Sequence, residues 1–371
     1  MEGSSVLPFH GWLFYLLVIG IPVLLLTIVC LFRNPFIRSL KGKHVFITGG
    51  SSGIGLAIAA KVLREGAVVT LLSRSVSNLS SAVEHLLHEV PTTKLECIRA
   101  EVSDVADYET LSSAIERAFA WRPIDVFVCN AGLTRGGYLG DGQLKDLEIT
   151  VQTNFMGSVH ALHAALPLLK RHSRNQPVSI VIMASLASLF FMYGHAVYTA
   201  TKNAMRGLAE GLRFELLPYN IKISLICPGF TSTPFLDEAD KEEEICKVLK
   251  WVNLYSRAWA ESAEGVAAHM VAALKAGAFL ATTNPLGLVL ATLGRGFVPC
   301  NTLPRLAFEL LFFIPFRLAS MIVIPIFQLI VRRKRTNKRT ADVASLNDTP
   351  SRHDEPPSSY ATTISSFSTS R

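Results

Sequence analysis

A tyrosine and a lysine stand four residues apart, Tyr198 and Lys202, in the stretch VYTATKNAMRGLAEGL (197–212). That spacing puts both side chains on one face of a helix. Such a pair can be the polar rim of an ordinary core helix. It can also move a proton: a phenol with an ordinary pKa of about 10 donates slowly near neutrality, and a neighbouring ammonium favours the phenolate. Ser185 lies thirteen residues upstream, at the end of the strand-like run VSIVIMAS (178–185). A serine hydroxyl there can bond a carbonyl oxygen and fix its position. Asn154, in TNFMGS (153–158), sits inside an apolar helical stretch, where a carboxamide is costly unless bonded. It can hold a water that refills a proton relay. Together the four side chains suit the reduction of a ketone, which needs a hydride at carbon and a proton at oxygen.

A second set of residues suits a dinucleotide. TGGSSGIG (48–55) follows the strand-like HVFITG and opens a helical stretch. Gly49 allows the tight turn, Gly53 lets the backbone approach a pyrophosphate, and Gly55 permits close helix packing. The helix N-terminus then meets the phosphates. A glycine-rich turn without a ligand is the plainer alternative. At the end of the second strand, LLSRS offers Arg74 and no acid. An acid there bonds a ribose 2′-hydroxyl, whereas an arginine accommodates a 2′-phosphate, so NADPH is expected. A solvated turn arginine is the alternative. NAG (130–132) ends the fourth strand-like run, where ligands of open parallel sheets gather.

Elements that could position these groups are legible between 44 and about 230. HVFITG (44–49), AVVTLLS (67–73), LECIRAEV (95–102), IDVFVCN (124–130), VSIVIMAS and IKISLICP (221–228) read as strands. Several are apolar without alternation, as strands covered on both faces are. Helical patterns such as 54–65 and 197–217 lie between them. The expected fold is α/β: a Rossmann-type doubly wound parallel sheet with helices on both faces.

The ends differ in character. The chain has 371 residues, half of them hydrophobic and 18% charged. GWLFYLLVIGIPVLLLTIVCLF carries no charge and is long enough to cross a bilayer. Its leader has no Lys or Arg, against a cleaved signal peptide. Basic Arg33, Arg38, Lys41 and Lys43 follow it, so the reading is a lumenal N-terminus (1–11), a transmembrane anchor (12–32) and a cytosolic remainder. Next come an expected reductase domain (44–278) and an apolar, membrane-associated region (279–331). LAFELLFFIPFRLASMIVIPIFQLIV within that region is interrupted by Glu309, Pro315, Arg317 and Pro325, so a broken, re-entrant or interfacial segment fits better than a span. The tail (332–371) begins with RRKRTNKR, which supplies most of the +7 net charge. A nucleic-acid patch is one reading of such a run, but its place after an apolar segment suits a cytosolic membrane surface instead. The six cysteines show no metal spacing, and Cys129 and Cys227, in apolar strand-like runs, read as reduced core residues; no metal and no nucleic acid are expected.

The glycine turn, NAG, Asn154, Ser185, the Tyr198–Lys202 pair and PGFTSTP (228–234) together resemble the short-chain dehydrogenase/reductase family over about 44–235. The resemblance implies Tyr198 as proton donor, Lys202 as its electrostatic partner and ligand of the nicotinamide ribose, and Ser185 and Asn154 as the other catalytic residues. It implies cofactor contacts from Gly49, Ser51, Ser52, Gly53, Ile54, Gly55, Arg74, Glu101, Val102, Asn130, Ala131, Gly132, Tyr198, Lys202, Pro228, Gly229, Thr231 and Thr233. Two departures stand out: Glu101 replaces the family's usual aspartate, and Ser52 stands where many NADPH users carry a base. Family members often dimerise through the helices holding Asn154 and Tyr198, which allows a homo-oligomer. RGLAEGLRFELLPYN and the apolar C-terminal region are similar to the membrane-bound 3-ketodihydrosphingosine reductases of the endoplasmic reticulum. That likeness implies a long-chain keto-lipid substrate, membrane lipid as a partner, and a catalytic domain facing the cytosol. A reductase of retinal or another hydrophobic carbonyl shares the same residues, and a nucleotide-sensing scaffold is the non-enzymatic alternative.

Overall fold

The structure is a computed structural model. It describes Gly20, residues 36–135, 139–140, 142–233 and 260–294, and helical residues within 307–329. The expected lumenal terminus, the anchor apart from Gly20, the stretch 234–259 and the basic tail lie outside the described residues. The chain divides into two units, Met1–Ala319 and Ser320–Arg371. The described residues of the second are helical.

The first unit is built on a seven-stranded sheet in the order β3-β2-β1-β4-β5-β6-β9, and every pairing in it is parallel. Its strands are β1 (His44–Thr48), β2 (Val68–Ser73), β3 (Ile98–Val102), β4 (Val126–Cys129), β5 (Val178–Met183), β6 (Ile221–Cys227) and β9 (Leu280–Thr282), while β7 (Thr231–Ser232) and β8 (Glu261–Ser262) pair with each other in a separate two-stranded sheet. The first six match the strand-like runs of the sequence. β1, β4 and β5 are buried along their whole length, as strands covered on both faces must be. One face carries α1 (Gly53–Arg64), α2 (Val76–Glu89) and α7 (Ala263–Ala276), whose Ile58, Leu86, Val266 and Met270 join one core. The other carries α3 (Tyr108–Trp121), α5 (Gly157–His172) and α6 (Ala196–Glu215), whose Ile115, Leu169, Met205 and Leu212 join a second core. Each such side chain contributes roughly 1.5–3 kcal/mol by leaving water.

β9 lies beyond the expected domain boundary at 278. Leu280 aligns with Leu225 of β6, and Ser224 Oγ donates to Ala278 O at 2.7 Å. A three-residue strand followed by the apolar helix α8 (Pro285–Gly294) reads in sequence as one apolar run, which hid the end of the sheet. The sheet domain therefore continues past 278. Among the described residues no helix is long and apolar enough to cross a membrane. Residues 311–319 form a helix with Leu311, Phe313, Ile314 and Leu318 exposed.

β1 hands the chain to β2 on one side, while β4 begins the other half of the sheet. Open α/β sheets bind ligands at this switch point, outside the carboxyl ends of the strands.

Candidate active site

The switch point is stitched by Thr48, a residue the sequence reading passed over. Its Oγ1 accepts the N–H groups of Asn130 (2.9 Å) and Ala131 (3.0 Å) and donates to Val128 O (3.3 Å). Asn130 Nδ2 answers by donating to the carbonyls of Thr48 (3.1 Å) and Gly49 (3.2 Å). The ends of β1 and β4 are thus held together.

The glycines then serve distinct needs. Gly49 has φ +66°, and a Cβ there would stand 2.9 Å from Ala131 Cα. A Cβ on Gly55 would meet the Gly49 carbonyl oxygen at 2.2 Å, so α1 starts directly against the turn. The first N–H groups of a helix have no intrahelical partner. Ser52, the N-cap, gives them no side-chain bond, and the first turn holds no acid. These features leave an anion-ready cradle of the kind a pyrophosphate fills. Ser51 Oγ donates to Ser73 Oγ at 2.9 Å, tying the turn to the end of β2. Gly53 neighbours Thr233, which brings PGFTSTP back to the same turn.

Arg74, just after β2, is 64% exposed along its side chain and meets Asp104 only at 3.9 Å. The Glu101 carboxylate, expected to contact cofactor, does otherwise. It is buried and both oxygens are taken: Arg99 donates to one (2.6 Å) and Arg117 of α3 to the other (2.7 Å). Strand alternation puts Glu101 on the α3 side. Val102, the next residue, is exposed at the strand end.

Asn154, Ser185, Tyr198 and Lys202 converge. Ser185 follows β5 and caps a short 3₁₀ turn, Leu186–Ser188, accepting from Ala187 N at 3.2 Å. It hydrogen-bonds Tyr198. Lys202 Nζ donates to Met183 O at 3.2 Å and lies 5.6 Å from the Tyr198 ring centroid. Asn154 sits in a π turn, Gln152–Met156, between α4 (Leu144–Val151) and α5. Its Oδ1 accepts from Leu133 N (2.8 Å), and its Nδ2 donates to Leu133 O (2.9 Å) and Thr201 Oγ1 (3.3 Å). The carboxamide therefore anchors the chain after NAG. Gly132 connects the two halves of the site: a Cβ on it would lie 3.3 Å from Asn154 Oδ1 and 3.7 Å from Lys202 Nζ. Leu186 N donates to Pro228 O at 2.9 Å, and a Cβ on Gly229 would collide with Asn284 Nδ2. Thr231 Oγ1 donates to Gly229 O (3.2 Å) and Thr233 Oγ1 to Thr231 O (3.3 Å).

The electrostatics correct one expectation. Burial pushes the Tyr198 phenol up to about 12, and the Ser185 hydrogen bond only partly opposes it. Burial also brings Lys202 down to about 8. Desolvation thus outweighs the pull of the ammonium on the phenol. Tyr198 keeps its proton at neutral pH. Among the described residues no His, Cys, Asp and Glu group could hold a metal.

Residues 43–244 match the short chain dehydrogenase family model. A 3-dehydrosphinganine reductase of Arabidopsis thaliana, TSC10B, is 32% identical over 315 residues, 85% of this chain and 91% of that protein. A 3-ketodihydrosphingosine reductase of Mus musculus is 30% identical over 325 residues, 86% of this chain and 95% of that protein. Among solved structures, a short-chain dehydrogenase/reductase from Burkholderia phymatum in complex with NAD superposes with a TM-score of 0.61 at 24% identity, over 69% of this chain and 94% of that one. The L-sorbose reductase of Gluconobacter frateurii, complexed with NADPH and L-sorbose, gives 0.56 at 24% identity, over 67% and 98%. The chain belongs to the short-chain dehydrogenase/reductase family. It is an oxidoreductase acting on a carbonyl group or the corresponding CH–OH group.

Proposed function

We propose that this enzyme reduces 3-ketosphinganine to sphinganine with NADPH, in the de novo synthesis of sphingolipids. The observation that carries the reading is the length of the likeness. The reductases of that ketone match along nearly their whole chains, 91% and 95%, and so beyond the family's common domain.

The dinucleotide fits the residues present. Gly49, Gly53 and Gly55 with the first turn of α1 would hold the pyrophosphate; Arg74, largely exposed and only loosely paired with Asp104, would take the 2′-phosphate; Lys202 would bond the nicotinamide ribose, and Thr231 and Thr233 its carboxamide. Bound NADPH supplies a hydride to the carbonyl carbon. Ser185 Oγ and Tyr198 Oη, already hydrogen-bonded to each other, both face the carbonyl oxygen. Tyr198, protonated at neutral pH, gives its proton to that oxygen as the alcohol forms. Lys202, charged below about pH 8, stabilises the phenolate left behind. Asn154 acts through position, by fixing the backbone after Gly132 where the nicotinamide would lie.

The setting we propose is the endoplasmic reticulum membrane, with the catalytic domain toward the cytosol and the lipid ketone arriving from the bilayer. The exposed Leu311, Phe313, Ile314 and Leu318 and the uncharged run at 12–32 support it, because apolar surface of this kind is most stable in lipid. The test is NADPH oxidation by the purified full-length enzyme in detergent micelles with 3-ketosphinganine, retinal and a ketosteroid. The reading requires a clear preference for 3-ketosphinganine in kcat/KM. Preference for either rival sinks it.

A further inference from the structure

The segment between Ser185 and Tyr198 joins two residues whose hydroxyls must meet one carbonyl oxygen, so it borders the space beside that oxygen. It carries two exposed phenyl rings in contact, Phe190 and Phe191, tilted by 33° with centroids 4.2 Å apart. It ends at His195, the N-cap of α6. A turn through Met192 and Gly194 fixes His195: its N–H donates to Met192 O at 3.1 Å, and Thr199 N donates to its carbonyl at 2.8 Å. His195 stands about one turn before Tyr198 and two before Lys202, at the start of the helix that carries both.

The His195 side chain is buried, with 8% of the residue exposed. It does not cap its own helix, and Nδ1 is inaccessible to solvent and has no hydrogen-bond partner among the described residues. Burial holds the imidazole below its ordinary pKa, so at neutral pH it is uncharged, with one nitrogen a donor and the other an acceptor. A buried polar atom left unpaired forfeits its hydration with nothing in return. An apolar residue at this place would avoid that cost. The proton transfer described above leaves His195 unused.

We propose that His195 is a substrate-positioning residue, whose imidazole hydrogen-bonds a polar group carried within two carbons of the ketone. The inference rests on the proposed function, in which the substrate bears an amine at the adjacent carbon and a hydroxyl one carbon further. Both groups offer hydrogens to a neutral imidazole. Either bond would fix which face of the ketone meets the cofactor, while Phe190 and Phe191 line the side open to the alkyl chain.

The experiment compares wild type, His195→Phe and His195→Gln on four ketones. These are 3-ketosphinganine, its analogue without the amine, its analogue without the terminal hydroxyl, and a plain long-chain ketone with neither. The expected result is a loss of about tenfold or more in kcat/KM for His195→Phe on 3-ketosphinganine, mostly in KM, as one hydrogen bond commands. The plain ketone should be reduced within about twofold of wild type, and His195→Gln should recover part of the loss. The analogue on which wild type and His195→Phe become equal identifies the group that is bonded. Equal losses on all four ketones would make His195 a packing residue and overturn the proposal, as would an unchanged rate on 3-ketosphinganine. A wild type that reduces the plain ketone but not 3-ketosphinganine would instead overturn the proposed function.

Discussion

Lys202 Nζ is held between the end of a strand and the face of a phenol: it donates to Met183 O at 3.2 Å and lies 5.6 Å from the Tyr198 ring centroid. Both side chains are buried, which makes the two titrate far apart, Lys202 near 8 and Tyr198 near 12. The active form of the free enzyme carries both protons. As pH rises through the lower value the ammonium is lost first. The kcat/KM for reduction should therefore hold level from about pH 6 and decline through an apparent pKa of about 8, since that parameter reports free-enzyme groups. A pH profile taken to about pH 10 checks it. A decline that begins only near the ordinary lysine value would refute it.

Tyr198→Phe keeps the ring and removes the proton donor. Turnover should fall by about 10²–10⁴-fold while NADPH affinity, read by fluorescence titration, stays close to wild type. Lys202→Met should lose turnover and cofactor affinity together, because one side chain serves both. Near-normal reduction by Tyr198→Phe would mean that another acid protonates the oxygen.

Among the described residues Arg74 has no charged partner closer than Asp104 at 3.9 Å, so its guanidinium is available to a 2′-phosphate. Arg74→Ala should cost about 10–100-fold in kcat/KM with NADPH, the worth of a charge-assisted bond. The rate with NADH should scarcely move. Wild type using both cofactors equally would dismiss the preference.

Gly55→Ala would force a methyl group to within 2.2 Å of the Gly49 carbonyl oxygen. Relieving that contact moves α1 off the turn, at about 1–3 kcal/mol of stability by the usual cost of overpacking, and spoils the phosphate cradle. Thermal unfolding with and without NADPH measures both effects. The substitution should lower the melting temperature and also shrink the shift that NADPH produces. A variant with unchanged melting and unchanged NADPH shift would show that the contact relaxes freely.

Deleting residues 300–371 while retaining the N-terminal run separates anchoring from substrate delivery. Loss of long-chain turnover, with a short water-soluble ketone spared, is the expected outcome in a membrane-bound product. Equal survival of both activities would leave the deleted region no part in delivery.

What could be read from the sequence was what is local. A glycine turn, a strand end and a pair four residues apart declare their chemistry within a dozen residues. Long-range partners were not legible. Nothing in AEVSD tells that Arg117, sixteen residues on, closes over Glu101, or that Thr48 bonds a main chain 82 residues away. Three residues at 280–282 become a strand only because Leu225 lies beside them. The protonation of Tyr198 depended on burial, which residue types at a given spacing do not express.

The short parallel pair formed by β7 (Thr231–Ser232) and β8 (Glu261–Ser262) brings the chain back to the point it left. Residues 231–232 and 261–262 thus share one mooring beside the carboxyl edge of the sheet. Loop closure grows only logarithmically with length, about 0.6 kcal/mol per doubling. The length of chain joining them can therefore change over generations without disturbing β5, which leads to Ser185, or α6, which carries Lys202.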